Sequence, residues 1–181
     1  MLSAFSDYFK KDNKYNVIQL SFKNNDYPLR TDLGSLKSSS YVVHSDGHFK
    51  SFVEACFYVA SISTINTRDK HGDVLVIEAH GLEDGGLLVG GRNAVEIDNV
   101  VKMCDDTNIR TIILASCFGD RAMQRLRVET DVTIIYSIGE IYDADAMLAV
   151  KRMVESLEFW PIEKVLRMIN NGTYANRWLI A

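Results

Sequence analysis

Apolar residues recur along this chain in two rhythms. Four stretches are nearly continuous and rich in β-branched residues: Tyr15–Phe22, Asp73–Ala79, Arg110–Ser116 and Asp131–Ser137. Each is bounded by turn residues and predicts a strand, and such unbroken apolarity suits a parallel sheet covered on both faces. Tyr41–His44 predicts a shorter strand.

Between the strands the period becomes helical. Phe49, Phe52, Val53, Cys56, Phe57 and Ala60 predict a helix over 48–65. Ala94, Ile97, Val101 and Cys104 share one side of another, over 97–105. On this spacing Cys56 and Cys104 are small core residues rather than reactive groups. Gly119-Asp120 opens a helix expected to reach about Glu129. Asp143 or Asp145 is expected to cap the next, running to about Phe159 with Met147, Val150, Val154 and Leu157 inward. Pro161, at the first helical position, starts the last one, and Asn171-Gly172 close it. The tail from Thr173 to Ala181 carries Trp178, Leu179 and Ile180 and is expected to pack back on the body.

Strands alternating with helices, joined by right-handed crossovers, predict an α/β domain with helices on both faces of its sheet. At 181 residues, one domain is expected over 1–181, with the polar stretch 1–14 as a short helix or arm. Residues 23–40 form a loop whose length suggests function or mobility. The glycine pairs Gly85-Gly86 and Gly90-Gly91 flank Leu87–Val89 and predict a hairpin or flap. They do not make a phosphate loop, for no Lys follows and no G-x-G-x-x-G lies between a strand and a helix.

Composition narrows the function. Hydrophobic content of 47% and charged content of 24% describe an ordinary globular chain. A net charge of -4 offers no basic footprint, so no nucleic-acid partner is expected. No apolar run approaches the roughly 20 residues that span a bilayer, so no membrane partner is expected either. The three cysteines, at 56, 104 and 117, are odd in number and widely spaced. They suggest a reducing compartment and a cytoplasmic location rather than a disulfide framework or a zinc site.

Two of the strands end in residues that do chemistry. Asp73–Ala79 delivers His80-Gly81, and Arg110–Ser116 delivers Cys117-Phe-Gly119. Sites in parallel sheets gather at the carboxyl ends of the strands, so both residues should emerge on one edge. An imidazole beside a thiol is a nucleophile with its base. The strand-to-helix turn also sets the thiol at a helix amino terminus, whose dipole favours the thiolate. The following glycines, Gly81 directly and Gly119 two along, let a substrate backbone approach. His44, at the end of its own predicted strand, is the rival base, with His48 behind it.

The order of the pair discriminates among folds. In α/β-hydrolases and amidotransferases the His follows the nucleophile. Here His44, His48, His71 and His80 all precede Cys117. The loop of tyrosine phosphatases fails too, because Met occupies position 123. Strand-His80-Gly81 followed by strand-Ala115-Ser116-Cys117-x-Gly119 resembles the caspase-like, clan CD cysteine peptidases. The likeness is strongest to their CHAT branch, in which an Asp-Gly hairpin and a helix separate the two strands. Glu83–Gly91 and the helix near 97–105 suit that layout, and the likeness covers roughly 70 to 140. The chain departs from the caspase Q-A-C-x-G signature in having Ala115 in place of Gln.

The resemblance implies a caspase-like three-layer sandwich with a mostly parallel central sheet. It implies a cysteine endopeptidase with a His80–Cys117 dyad that needs no metal or cofactor. The backbone N–H groups of Gly81 and Cys117 would form the oxyanion hole. A protein or peptide substrate and a regulatory protein partner would follow. In such enzymes the pocket before the cleaved bond is built from the loop after the first strand, the nucleophile region and the strand after the Cys. Here these are 23–40, 115–117 and 136–143. Their acids are Asp26, Asp32, Glu140 and Asp143, with Asp32, Glu140 and Asp143 the candidate substrate-binding residues, and Arg30 is the one nearby base. Acids at a pocket floor would select a basic residue. Phe118, Tyr136 and Tyr142 are cleft or core aromatics. The alternatives are a catalytically inactive subunit of the same fold that binds proteins, and a different thiol enzyme such as an acyltransferase or redox protein.

Overall fold

The computed structural model describes residues 17–22, 31–33, 39–43, 72–89, 93–105, 107–174 and 177–181. The expected arm over 1–14, the helix over 48–65 with Cys56, and Asp26, Arg30, His44, His48 and His71 lie outside these residues.

A six-stranded sheet forms the centre. Its strands are β1 (Val17–Phe22), β2 (Ser39–Val43), β3 (Asp73–Glu78), β7 (Ile109–Ala115), β8 (Thr133–Ser137) and β9 (Trp178–Ile180), in the spatial order β2-β1-β3-β7-β8-β9. All neighbours are parallel except β8 and β9. A second, three-stranded antiparallel sheet is built from β4 (His80–Gly81), β5 (Leu87–Val89) and β6 (Asn93–Val95). The helices are α1 (Ile97–Cys104), α2 (Gly119–Arg125), α3 (Asp143–Leu157) and α4 (Ile162–Asn170).

The unbroken apolar runs have the expected cause: every residue of β1 and of β3 is buried. Their side chains alternate between two cores. Ile18, Leu20, Leu75, Ile77, Ile112, Leu114 and Ile134 meet Val100, Val101 and Cys104 of α1 and Ala122 of α2. Val17, Val74, Val76, Ile113 and Ile135 meet Ala146, Val150 and Met153 of α3 and Val165, Leu166 and Ile169 of α4. Helices therefore cover both faces, and Cys104 is a core residue.

Several boundaries differ from the sequence pattern. α2 stops at Arg125, short of Glu129, because Leu126 turns to an extended conformation (φ -62°, ψ 122°). The carboxylate of Asp98, on α1, accepts from the Arg127 amide at 2.8 Å and draws the chain away from the helix axis. Neither Asp143 nor Asp145 caps α3; Tyr142 occupies the cap, and both acids lie in the first turn. There they still complement the helix dipole. The buried stripe of α3 runs through Ala146, Ala149, Val150, Met153 and Val154, leaving Met147 and Leu157 half-buried. Pro161 is the cap of α4 rather than its first helical residue. The tail does pack back, as strand β9, and Trp178 is 0% exposed.

Candidate functional site

The carboxyl edge of the sheet carries the site. β3 ends at Glu78, and the chain runs through Ala79 into β4, so His80 and Gly81 stand just beyond the sheet. The Ala79 amide donates to the Ala115 carbonyl at 3.2 Å, which fixes this exit against the end of β7. Gly81 then lies against the turn after β7. A Cβ built on it would fall 1.7 Å from the Cys117 carbonyl oxygen and 2.5 Å from Ser116 Oγ. No side chain fits there, which is why this position is glycine. The residues that close the two strands are thus brought together as expected, and both His80 and Cys117 are half-buried.

The hairpin after Gly81 sets the direction of its backbone. The Gly85 amide donates to Leu82 O and the Leu82 amide to Gly86 O, both at 2.8 Å, with Gly85 at φ +90°. That is a three-residue loop closed by a glycine in the left-handed region. Leu82 and Gly86 being the bonded pair, Gly81 and Leu87 opposite each other are a non-bonded one. The Gly81 N–H therefore points away from β5. The Gly86 amide is taken by Asp84 Oδ1 at 2.9 Å, so this glycine pair caps its own loop and cradles no phosphate.

The thiol sits on a sharp turn. Phe118 adopts the left-handed conformation (φ 54°, ψ 35°), which is costly for a bulky residue, and it caps α2. Its amide donates to Gly139 O at 2.7 Å, tying the turn to the loop after β8. That loop is held in return: the Gly139 amide donates to Asp120 Oδ1 at 3.0 Å. Ser137 Oγ donates to Ser116 O at 2.8 Å. Gly119 packs on the same strand, since a Cβ there would lie 2.7 Å from Ser137 O. The outcome is a fixed sulfur. Cys117 Sγ accepts from the Ile141 amide at 3.4 Å and lies 3.9 Å from the Ile141 carbonyl.

The hairpin is also fastened from the far side. Arg125, the last residue of α2, donates to Asp84 O at 2.7 Å and pairs with the carboxylates of Asp84 and Glu96. Gly85 approaches the Arg121 backbone so closely that a Cβ would come within 2.7 Å of it. α2 thus holds the thiol at its start and the flap along its length.

Compared with known proteins, the chain matches no family model, and no curated protein matches it. Site geometry alone therefore carries the functional reading. Among the described residues no group of His, Cys, Asp and Glu could hold a metal ion, and no helix is long and apolar enough to cross a membrane.

The predicted specificity acids are spread around this edge. Asp32 is exposed, between the buried Thr31 and Leu33. Glu140 and Asp143 are exposed on either side of Ile141, the residue that grips the sulfur. Phe118 is half-buried, Tyr136 packs on the core, and Tyr142 is 72% exposed.

One acid that the sequence pattern concealed lies inside. Glu78 is 2% exposed, at the end of β3. It accepts from Ser21 Oγ at 2.6 Å, Gln19 Nε2 at 3.0 Å and the Thr31 amide at 2.6 Å. Gln19 Nε2 donates to Thr31 O as well, at 2.8 Å. The signal was present: Gln19, Ser21 and Glu78 are polar residues at alternate positions in two strands otherwise wholly apolar on that face.

Proposed function

We propose that this chain is a cysteine endopeptidase of caspase-like type, with Cys117 as nucleophile and His80 as its acid-base partner. The observation that carries the proposal is the seating of Gly81 against the Cys117 carbonyl, which joins the two strand ends that bear the dyad. The parallel sheet, with its site at the carboxyl edge and helices on both faces, supports the same reading.

The chemistry follows from the groups present. The thiol gives up its proton, which His80 carries, and the sulfur attacks the peptide carbonyl. The N–H groups of Gly81 and Cys117 stabilise the oxyanion; that of Gly81 is directed away from its own hairpin. The C–N bond breaks as His80 protonates the leaving amine, which departs with the C-terminal product and leaves a thioester on Cys117. Water then adds to the thioester and yields one proton through His80 to the departing sulfur. The free acid leaves, and the thiol is restored. The half-buried position of both residues suits a site that must admit a substrate while excluding bulk water.

The test is labelling by peptidyl electrophiles, read by intact mass and peptide mapping. Selective modification of Cys117 that disappears in His80→Ala is expected. Equal, slow modification of Cys56, Cys104 and Cys117 would instead favour the binding-module alternative.

A further inference from the structure

Glu78 is a carboxylate 2% exposed. Among the described residues no Lys, Arg or His forms an ion pair with it. Three hydrogen bonds occupy part of its acceptor capacity, since an ionised carboxylate offers about four lone-pair sites. Two further acceptors in the same cluster have no partner at all: Gln19 Oε1 and Thr31 Oγ1, in side chains 0% and 2% exposed. Buried polar atoms are ordinarily paired, and each that is not calls for an explanation. All three open positions ask for a donor, and the carboxylate asks for positive charge.

The place of the cluster is equally specific. Ser21 pairs in register with Glu78, and Glu78 with Ala115. Side chains two apart on a strand share a face, so Gln19, Ser21 and Glu78 lie on the face of Val17, Val74 and Val76. Ala115 and Cys117 pack against the same core. The carboxylate is therefore one strand over and two residues back from the nucleophile. Two residues of strand span about 6.6 Å, comparable with the reach of an extended arginine. Ala115, the smallest chiral side chain, is in register with Glu78 and two residues before Cys117, so it stands between them on this face.

We infer that Glu78, with Gln19 Oε1 and Thr31 Oγ1, forms the floor of the pocket for the residue on the acyl side of the cleaved bond, and that this residue is arginine. The inference rests on the peptidase reading and names the group that sets its specificity. A guanidinium presents five donors in a planar fork, enough for one carboxylate and two neutral acceptors spread around it. A lysine ammonium, a compact charge with three donors, satisfies fewer of them. The exposed acids Asp32, Glu140 and Asp143 are rim residues on this account.

The experiment compares four electrophiles that differ only at the residue before the warhead: Arg, Lys, citrulline and Leu. Rates of Cys117 modification are measured for the full chain. The arginine probe is expected to react at least 100-fold faster than citrulline, its uncharged near-isostere, and at least 10-fold faster than lysine. In Glu78→Gln the arginine advantage over citrulline should fall below 5-fold. Ala115→Val offers a second route that leaves the carboxylate in place. It should slow the arginine probe at least 10-fold and the leucine probe much less. Selective labelling of Cys117 with no preference for arginine overturns this inference and leaves the peptidase reading standing. So does an arginine preference that survives in a folded Glu78→Gln. If no probe labels Cys117 selectively, both fall together.

Discussion

Gly81 and Cys117 are in backbone contact: the space where a side chain on Gly81 would begin is taken by the Cys117 carbonyl, 1.7 Å away. Gly81→Ala must therefore push the hairpin strand off the Cys117 turn. Displacements of about 1 Å at a reacting centre cost on the order of 100-fold in rate. Cys117 labelling by the best peptidyl electrophile is expected to fall by at least that factor in Gly81→Ala. An unchanged rate would show that this contact does not organise the site.

Gly119 meets the other side of the turn. A Cβ there would lie 2.7 Å from Ser137 O and 3.2 Å from Ser137 N, both backbone atoms of a central strand. Neither can retreat cheaply, so Gly119→Ala is expected to destabilise by about 1–3 kcal/mol. Urea unfolding measures this, with the slope unchanged if only packing is affected.

Arg125 separates site geometry from stability. It binds Asp84 and Glu96 at a partly exposed position, where ion pairs contribute about 1 kcal/mol or less. Arg125→Ala should leave the unfolding midpoint nearly unchanged. It should speed amide hydrogen exchange at Leu82 and Gly85, whose bonds close the hairpin, and slow Cys117 labelling. Loss of labelling in step with loss of global stability would contradict a role for the clamp.

Asn170 holds the last strand by a side-chain imitation of a ladder. Its Oδ1 accepts from the Trp178 amide and its Nδ2 donates to the Trp178 carbonyl, each at 2.8 Å. Asn170→Ala leaves both groups unpaired beside a wholly buried tryptophan. A loss of about 1–3 kcal/mol is expected by denaturant titration. Asn170→Asp, which keeps the acceptor and loses the donor, should fall between the two.

The placement of His80 and Cys117 was legible because each follows a long apolar strand, and strand ends are where parallel sheets place chemistry. The four principal strands were legible because most of their residues are buried, so pattern and structure coincide; α1 was legible from its helical stripe of Ile97, Val101 and Cys104. The end of α2 was not, because it depends on Asp98, far away in sequence, capturing the Arg127 amide. β9 was not, since Trp178–Ile180 is too short to show a period and is a strand only by pairing with β8. Glu78 was hidden by its neighbours. In Asp-Val-Leu-Val-Ile-Glu a terminal acid reads as the place where a strand meets solvent, and its register with Ser21 shows that it faces inward.

β9 runs against the direction of every other strand in the main sheet, and it is three residues long. β8 beneath it, Thr-Ile-Ile-Tyr-Ser, is a β-rich segment whose outer row of amides and carbonyls would otherwise face the surroundings. Such an edge is a template for another molecule's strand. A short segment pinned at Trp178 occupies it, so β8 is not open to another molecule's strand. The fold's colloidal behaviour thus hangs on the handful of residues in β9. Lesions there should appear as precipitation rather than as inactivity.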